Sequence, residues 1–166
     1  MKNKKIKEIK KKKNRIILKI IVIMAVILFL ILVAYIVYIT QEREVSFETI
    51  TWGQYSGIKE GQVKIIKYNF ELEKIWEDAF YVIKPMPDMP SINFKNTTVV
   101  AFFLGEKQGT GWKINIISVI EKSDRIIISI KQVPPVAYEN PEIKTYPFNI
   151  IKFKKTEKKI LIHIYS

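Results

Sequence analysis

The stretch TTVVAFFLGEKQGTGWKINIISVI (Thr97–Ile120) decides how this chain is read. Its first eight residues are a continuous apolar run, fitting a central strand covered on both faces. Its last nine alternate through Trp112, Ile114 and Ile116, then shift phase to Ile117 and Val119, which predicts a β-bulge. Between them, GEKQGTGW (Gly105–Trp112) is glycine-rich and polar and ends on an aromatic ring. A phosphate loop needs G-x-x-x-x-G-K-[ST] opening a helix, and here the glycines open a strand and no Lys-Ser/Thr pair follows. Two readings remain: a plain β-hairpin loop whose glycines supply positive φ, or a loop presenting backbone and Trp112 to a partner.

Downstream the pattern stays β. EKSD (Glu121–Asp124) is a turn, and RIIISIKQV (Arg125–Val133) places Ile126, Ile128 and Ile130 on one face. Pro134-Pro135 ends that strand, and Val136–Pro147 is a long proline-bearing loop. FNIIKFK (Phe148–Lys154) and ILIHIY (Ile160–Tyr165) are expected to pair as a closing hairpin.

Upstream, VSFETITW (Val45–Trp52) is strand-like with a slip before Ile50, GQYSG is a turn, and QVKIIKY (Gln62–Tyr68) is a second strand. Then the period changes: Leu72, Ile75, Trp76, Ala79 and Phe80 fall on one helical face, predicting a helix over about 70–82 with Asn69 as N-cap. Glu71 and Glu73 suit its first turn, and Pro85 limits its end. Strands, short turns and one packed helix give an α+β domain, mainly antiparallel sheet.

Composition bounds the rest. The chain has 166 residues and a net charge of +12, but nine Lys or Arg against the single Glu8 lie in residues 1–15. Residues 41–166 hold 18 basic and 15 acidic side chains, so the basicity belongs to the tail, and no nucleic-acid partner is expected. Ile20–Ile39 carries no charge, and a helix of that length spans roughly 30 Å, a bilayer's hydrocarbon core. A cleaved signal peptide would have a shorter apolar region and a small-x-small site; TQEREVSF offers none. The expectation is therefore a basic cytoplasmic tail (1–15), a transmembrane signal anchor (16–40), a short linker (41–44) and an extracytoplasmic domain (45–166). Membrane lipids would contact residues 16–40 and the basic tail.

Catalytic constellations are missing. There is no cysteine, and the one histidine, His163, sits in a terminal strand, so no nitrogen- or sulfur-rich metal site, no catalytic set and no cofactor site are expected. Ser56 has no activating base nearby in sequence, and Asn96-Thr97-Thr98 is a weak glycosylation pattern.

Taken together, VVAFFLGEKQGTGWKINIISV, the VPP of Val133–Pro135 and TYPFNIIKF (Thr145–Phe153) resemble the C-terminal domain of the PrcB family, small surface or membrane-attached subunits of bacterial protease complexes. The positions carrying the resemblance are Val99, Val100, Leu104, Gly105, Gly111 and Trp112, then Pro134, Thr145, Pro147 and Phe148. The upstream ITWGQYSGI and ELEKIW stretches are similar to the family's leading half. Gln108-Gly109-Thr110-Gly111-Trp112 replaces the family's proline and glycine-tyrosine, and the lipoprotein cysteine of some members is absent. The resemblance implies a non-catalytic module that binds and stabilises or tethers a secreted protease. The protein-binding candidates are Gly105, Lys107, Gly109, Gly111 and Trp112, with Pro134, Thr145 and Pro147 on a second loop. The alternative is an envelope structural domain that holds cell-wall polymer or a small ligand.

Overall fold

A computed structural model describes residues 2–135 and 142–165, with side chains from Asn14 onward. The chain divides into two compact units at Gln41/Glu42. The first is a single helix, α1 (Lys2–Thr40). Within its segment Asn14–Thr40 an 18-residue window has a mean hydropathy of 3.5, and the segment is long and apolar enough to cross a membrane. From Ile20 to Ile39 it carries no charged residue, and Met24, Leu28, Leu30 and Tyr38 are all exposed. Thr40 closes the last turn by donating its hydroxyl to the Ile36 carbonyl at 2.9 Å.

The second unit is three layers deep. One four-stranded sheet runs β2 (Phe47–Gly53), β9 (Phe148–Lys154), β4 (Thr97–Leu104), β3 (Gly61–Ile66) in spatial order, antiparallel throughout. Helix α2 (Asn69–Phe80) packs on one face of it. The other face meets a second sheet, ordered β1 (Arg43–Glu44), β6 (Lys113–Glu121), β7 (Arg125–Val133), β10 (Lys159–Tyr165). The central run TTVVAFFL feeds both cores: Val99, Ala101 and Phe103 point to the helix, Val100 and Phe102 to the second sheet. All five are at most 4 % exposed, and each large chain so buried stabilises the fold by about 1.5–3 kcal/mol.

The helix buries Leu72, Ile75, Trp76, Ala79 and Phe80, the face its periodicity predicts. Its N-cap is Tyr68 in extended conformation, one residue before the expected Asn69. The Glu71 carboxylate explains the shift, accepting the backbone N–H of Lys67 (2.8 Å) and of Tyr68 (3.2 Å). Asn69, inside the helix, donates instead to Glu73.

Both slips in the apolar pattern are register shifts. Between Thr49 and Thr51 the ladder to β9 jumps, turning Ile50 toward the helix layer while Phe47, Thr49 and Trp52 stay on the other face. Between Ile116 and Ser118 the ladder to β7 jumps, so Ile114, Ile116 and Val119 all point inward and Ile117 is left 53 % exposed.

Two expected hairpins are not formed. β4 and β6 lie in different sheets, so GEKQGTGW is a crossover between layers. Both edges of β4 are taken, by β9 and β3, and no edge is left for β6. The same holds for the closing pair: β9 is filled by β2 and β4, so β10 crosses over and pairs parallel with β7, Ile160 opposite Ile126. Arg43 and Glu44, within the stretch read as a linker, pair with Glu121 and Ile120.

Candidate functional site

The crossover after β4 is built as a small lobe. Gly105 is buried with φ +71°, and a Cβ there would lie 2.6 Å from the Gly61 backbone nitrogen, so only glycine lets the chain turn away over the start of β3. The Glu106 N–H then donates to the Lys59 carbonyl (3.0 Å). Lys107 and Gln108 form β5 and pair antiparallel with β8 (Lys144–Thr145), and the Gly109 N–H continues the ladder to the Ile143 carbonyl (2.8 Å). Thr145 is fully buried and donates its hydroxyl to the Gly109 carbonyl at 2.8 Å. Pro147 is buried too, its carbonyl accepting the Leu104 N–H (2.9 Å).

Gln54, just past β2, holds the two halves of the lobe together. Its side-chain oxygen accepts the Gly111 N–H at 2.6 Å, and its backbone carbonyl accepts the Tyr146 N–H at 2.7 Å. Gly111 has φ +95°, and a Cβ there would lie 2.9 Å from Cβ of Pro135. Trp112 is partly buried. Its indole N–H donates back to the Gln108 carbonyl (3.1 Å), and the Lys107 ammonium lies 5.1 Å from the ring centroid, a cation–π distance.

The lobe's outer surface carries a polar triad. Lys144 and Glu106 form an ion pair at 2.7 Å, and the Tyr146 hydroxyl donates to the other Glu106 oxygen at 3.2 Å. The hydrogen bond from Lys144, then that from Tyr146, holds the Glu106 carboxyl below its usual range, and Glu106 in turn raises Lys144. Desolvation, followed by the Glu106 hydrogen bond, raises the Tyr146 phenol.

Of the residues marked in sequence, Gly105, Lys107, Gly109, Gly111, Trp112, Thr145 and Pro147 thus meet in one lobe. Pro134 lies exposed at its border, beside the Pro135 that covers Gly111. Residues 136–141 of the second candidate loop lie outside the described residues. Most of the lobe's marked residues are engaged in holding it: the glycines supply its bends and Thr145 pins it from inside. Trp112 with Lys107 is the part that reaches its surface. Sequence reasoning missed Gln54, Glu106, Lys144 and Tyr146. For Gln54 no local signal exists, since its partner Gly111 is 57 residues away.

Among the described residues no group of three His, Cys, Asp or Glu residues is placed to hold a metal ion. The Ser56 hydroxyl is buried and aimed at the Ile58 carbonyl (3.4 Å), and His163 is exposed on β10.

Residues 98–154 match the protein family described as PrcB C-terminal. The match runs from the central strand through the glycine lobe to the end of β9. Comparison with curated proteins and with solved structures finds no match.

Proposed function

We propose that this chain is a membrane-tethered, non-catalytic module whose outer domain docks onto a component of an extracytoplasmic protease complex and stabilises or tethers it. The observation that carries the reading is the PrcB C-terminal match, which spans the whole glycine lobe from Gly105 to Trp112 and the β8 segment that pins it. The lobe supports a docking role because it is pre-organised: its backbone is bonded in place, so little ordering entropy opposes binding. Trp112, braced by Gln108 and Lys107, supplies the aromatic and cationic chemistry that dominates interface hot spots. Placement follows the charge: positively charged flanks stay cytoplasmic, leaving residues 41–166 outside with residues 16–40 as the anchor. The basic tail would add attraction to anionic lipid, about 1 kcal/mol per Lys or Arg near the surface.

The test is affinity purification of the full chain from its own cell membranes, with protease activity assayed in the eluate. Wild type retains a protease, and Trp112→Ala, folded by circular dichroism, retains about tenfold less. Equal retention by the folded variant removes the lobe as the docking site, and no protease with wild type removes the reading itself.

A further inference from the structure

The two sheets of the sandwich leave one side open beside the lobe. Among the described residues β2 is an edge strand whose ladder partner is β9, and β6 along Lys113–Ile116 forms a ladder only with β7, its Ile114 carbonyl being taken besides by the Asn149 side chain. Between these edges runs a groove of about 490 Å³ lined by Phe47, Thr49 and Trp52 from one side and Lys113, Asn115 and Ile116 from the other. At its neighbouring end the chain itself closes the same opening: β1 pairs with Glu121 and Ile120, and the Val45 N–H reaches the Val119 carbonyl at 2.8 Å.

We infer that the remaining groove takes a short extended segment of a partner polypeptide, added as a strand to β6 where β1 leaves off and carrying a carboxylate opposite Lys113. Three features choose this occupant. An unpaired strand edge offers a row of backbone donors and acceptors, which an extended chain satisfies and a helix does not. Lys113 is the one charged group among the lining residues and makes no ion pair among the described residues, so the groove favours a negative side chain. Asn149, 7 % exposed at the groove wall, donates its amide to the Ile114 carbonyl at 3.0 Å as a neighbouring strand would. Its own oxygen Oδ1 is buried and has no donor among the described residues, a deficit that an incoming N–H removes.

Trp52 completes the site. It lies opposite Asn149 in the ladder, is 60 % exposed, and gives an aromatic wall for a side chain of the bound segment. The groove is continuous with the lobe, since Gln54 follows β2 directly and Trp112 precedes Lys113. The inference deepens the docking reading and rests on it for the identity of the partner, but not for the chemistry of the groove.

The probe is a pair of blocked synthetic heptapeptides, TVTEVTV and TVTKVTV, titrated into the isotope-labelled full chain in micelles and followed by NMR. The glutamate peptide is expected to shift the amides of Lys113–Ile116 and the Trp52 indole, and to bind more tightly than the lysine peptide. Trp52→Ala should weaken binding about tenfold, and Lys113→Glu should reverse the preference between the peptides. Both side chains are exposed, so the variants keep the fold. Shifts at the opposite open side, between β3 and β10, or no shifts with either peptide, overturn the inference. If the glutamate peptide binds but no protease is retained from membranes, the groove stands and the protease reading falls. If a protease is retained equally by Trp52→Ala and Lys113→Glu, the reading stands and the groove falls.

Discussion

The glycine lobe and the open groove lie side by side, yet their polar groups are used in opposite ways. In the lobe, the Gly109 carbonyl is bonded to Thr145, the Gly111 N–H to Gln54, the Trp112 indole to Gln108, and Glu106 to Lys144 and Tyr146. In the groove, among the described residues, Lys113 has no ion pair and Asn149 Oδ1 has no donor, and Trp52 is exposed. Unusual composition therefore marks a place where the fold makes unusual demands. Unused bonding capacity marks a place where another molecule has something to satisfy. The lobe has the stronger sequence signal and the groove the stronger chemical need.

The contrast is sharpest at Gly105. Gly105→Ala puts a side chain at φ +71° and drives Cβ into the Gly61 and Lys59 backbone, so it should destabilise the chain by about 3 kcal/mol in denaturant titration. Trp52→Ala in the groove should stay within about 0.5 kcal/mol of wild type in the same measurement, because it removes an exposed ring. Comparable losses at the two sites would show the exposed Trp52 ring to be as deeply built into the fold as Gly105.

A smaller loss is expected from Thr145→Val. Shape is nearly kept, but the buried Gly109 carbonyl loses its hydroxyl donor, which costs about 1–2 kcal/mol. The Gly109 and Gly111 amides should exchange faster with deuterium in this variant, while the Asn115 and Ile116 amides should not change. Faster exchange in both sets would mean that lobe and groove open as one unit.

The smallest effect belongs to the surface triad. Glu106 has a folded-state pKa below its ordinary value, chiefly through the Lys144 hydrogen bond. Its contribution to stability is therefore present above the ordinary carboxylate pKa and is lost as pH falls from there through the lower folded value. Glu106→Gln should make the melting temperature slightly less sensitive to acid between pH 7 and 3. An unchanged acid profile would show the triad to be decoration on a lobe held only from within.

Legibility in the sequence followed the range of the interaction. The α2 face was readable because Leu72, Ile75, Trp76, Ala79 and Phe80 declare a 3.6-residue period within a dozen positions. Both β-bulges were readable as phase slips, and the need for φ > 0 at Gly105 and Gly111 followed from residue type. The pairing of strands was not. A chain that reads strand–loop–strand suggests a hairpin, and only the occupation of both β4 edges sends β6 to the other sheet. Gln54 escaped notice for the same reason: nothing around residue 54 states that Gly111 will come within 2.6 Å of it.

The sequence by itself determined the long apolar helix, the amphipathic helix, the strand segments, the concentration of charge in the tail and the glycine positions. Each follows from backbone sterics, side-chain period or solvation, which act within a few residues. Tertiary structure alone decided which sheet each strand joins, that β10 runs parallel to β7, that Thr145 faces inward while Trp112 is held partly covered, and that Lys113 and Trp52 border one groove. Those outcomes depend on which edges remain free once the central strands have paired, a competition among residues far apart in the chain.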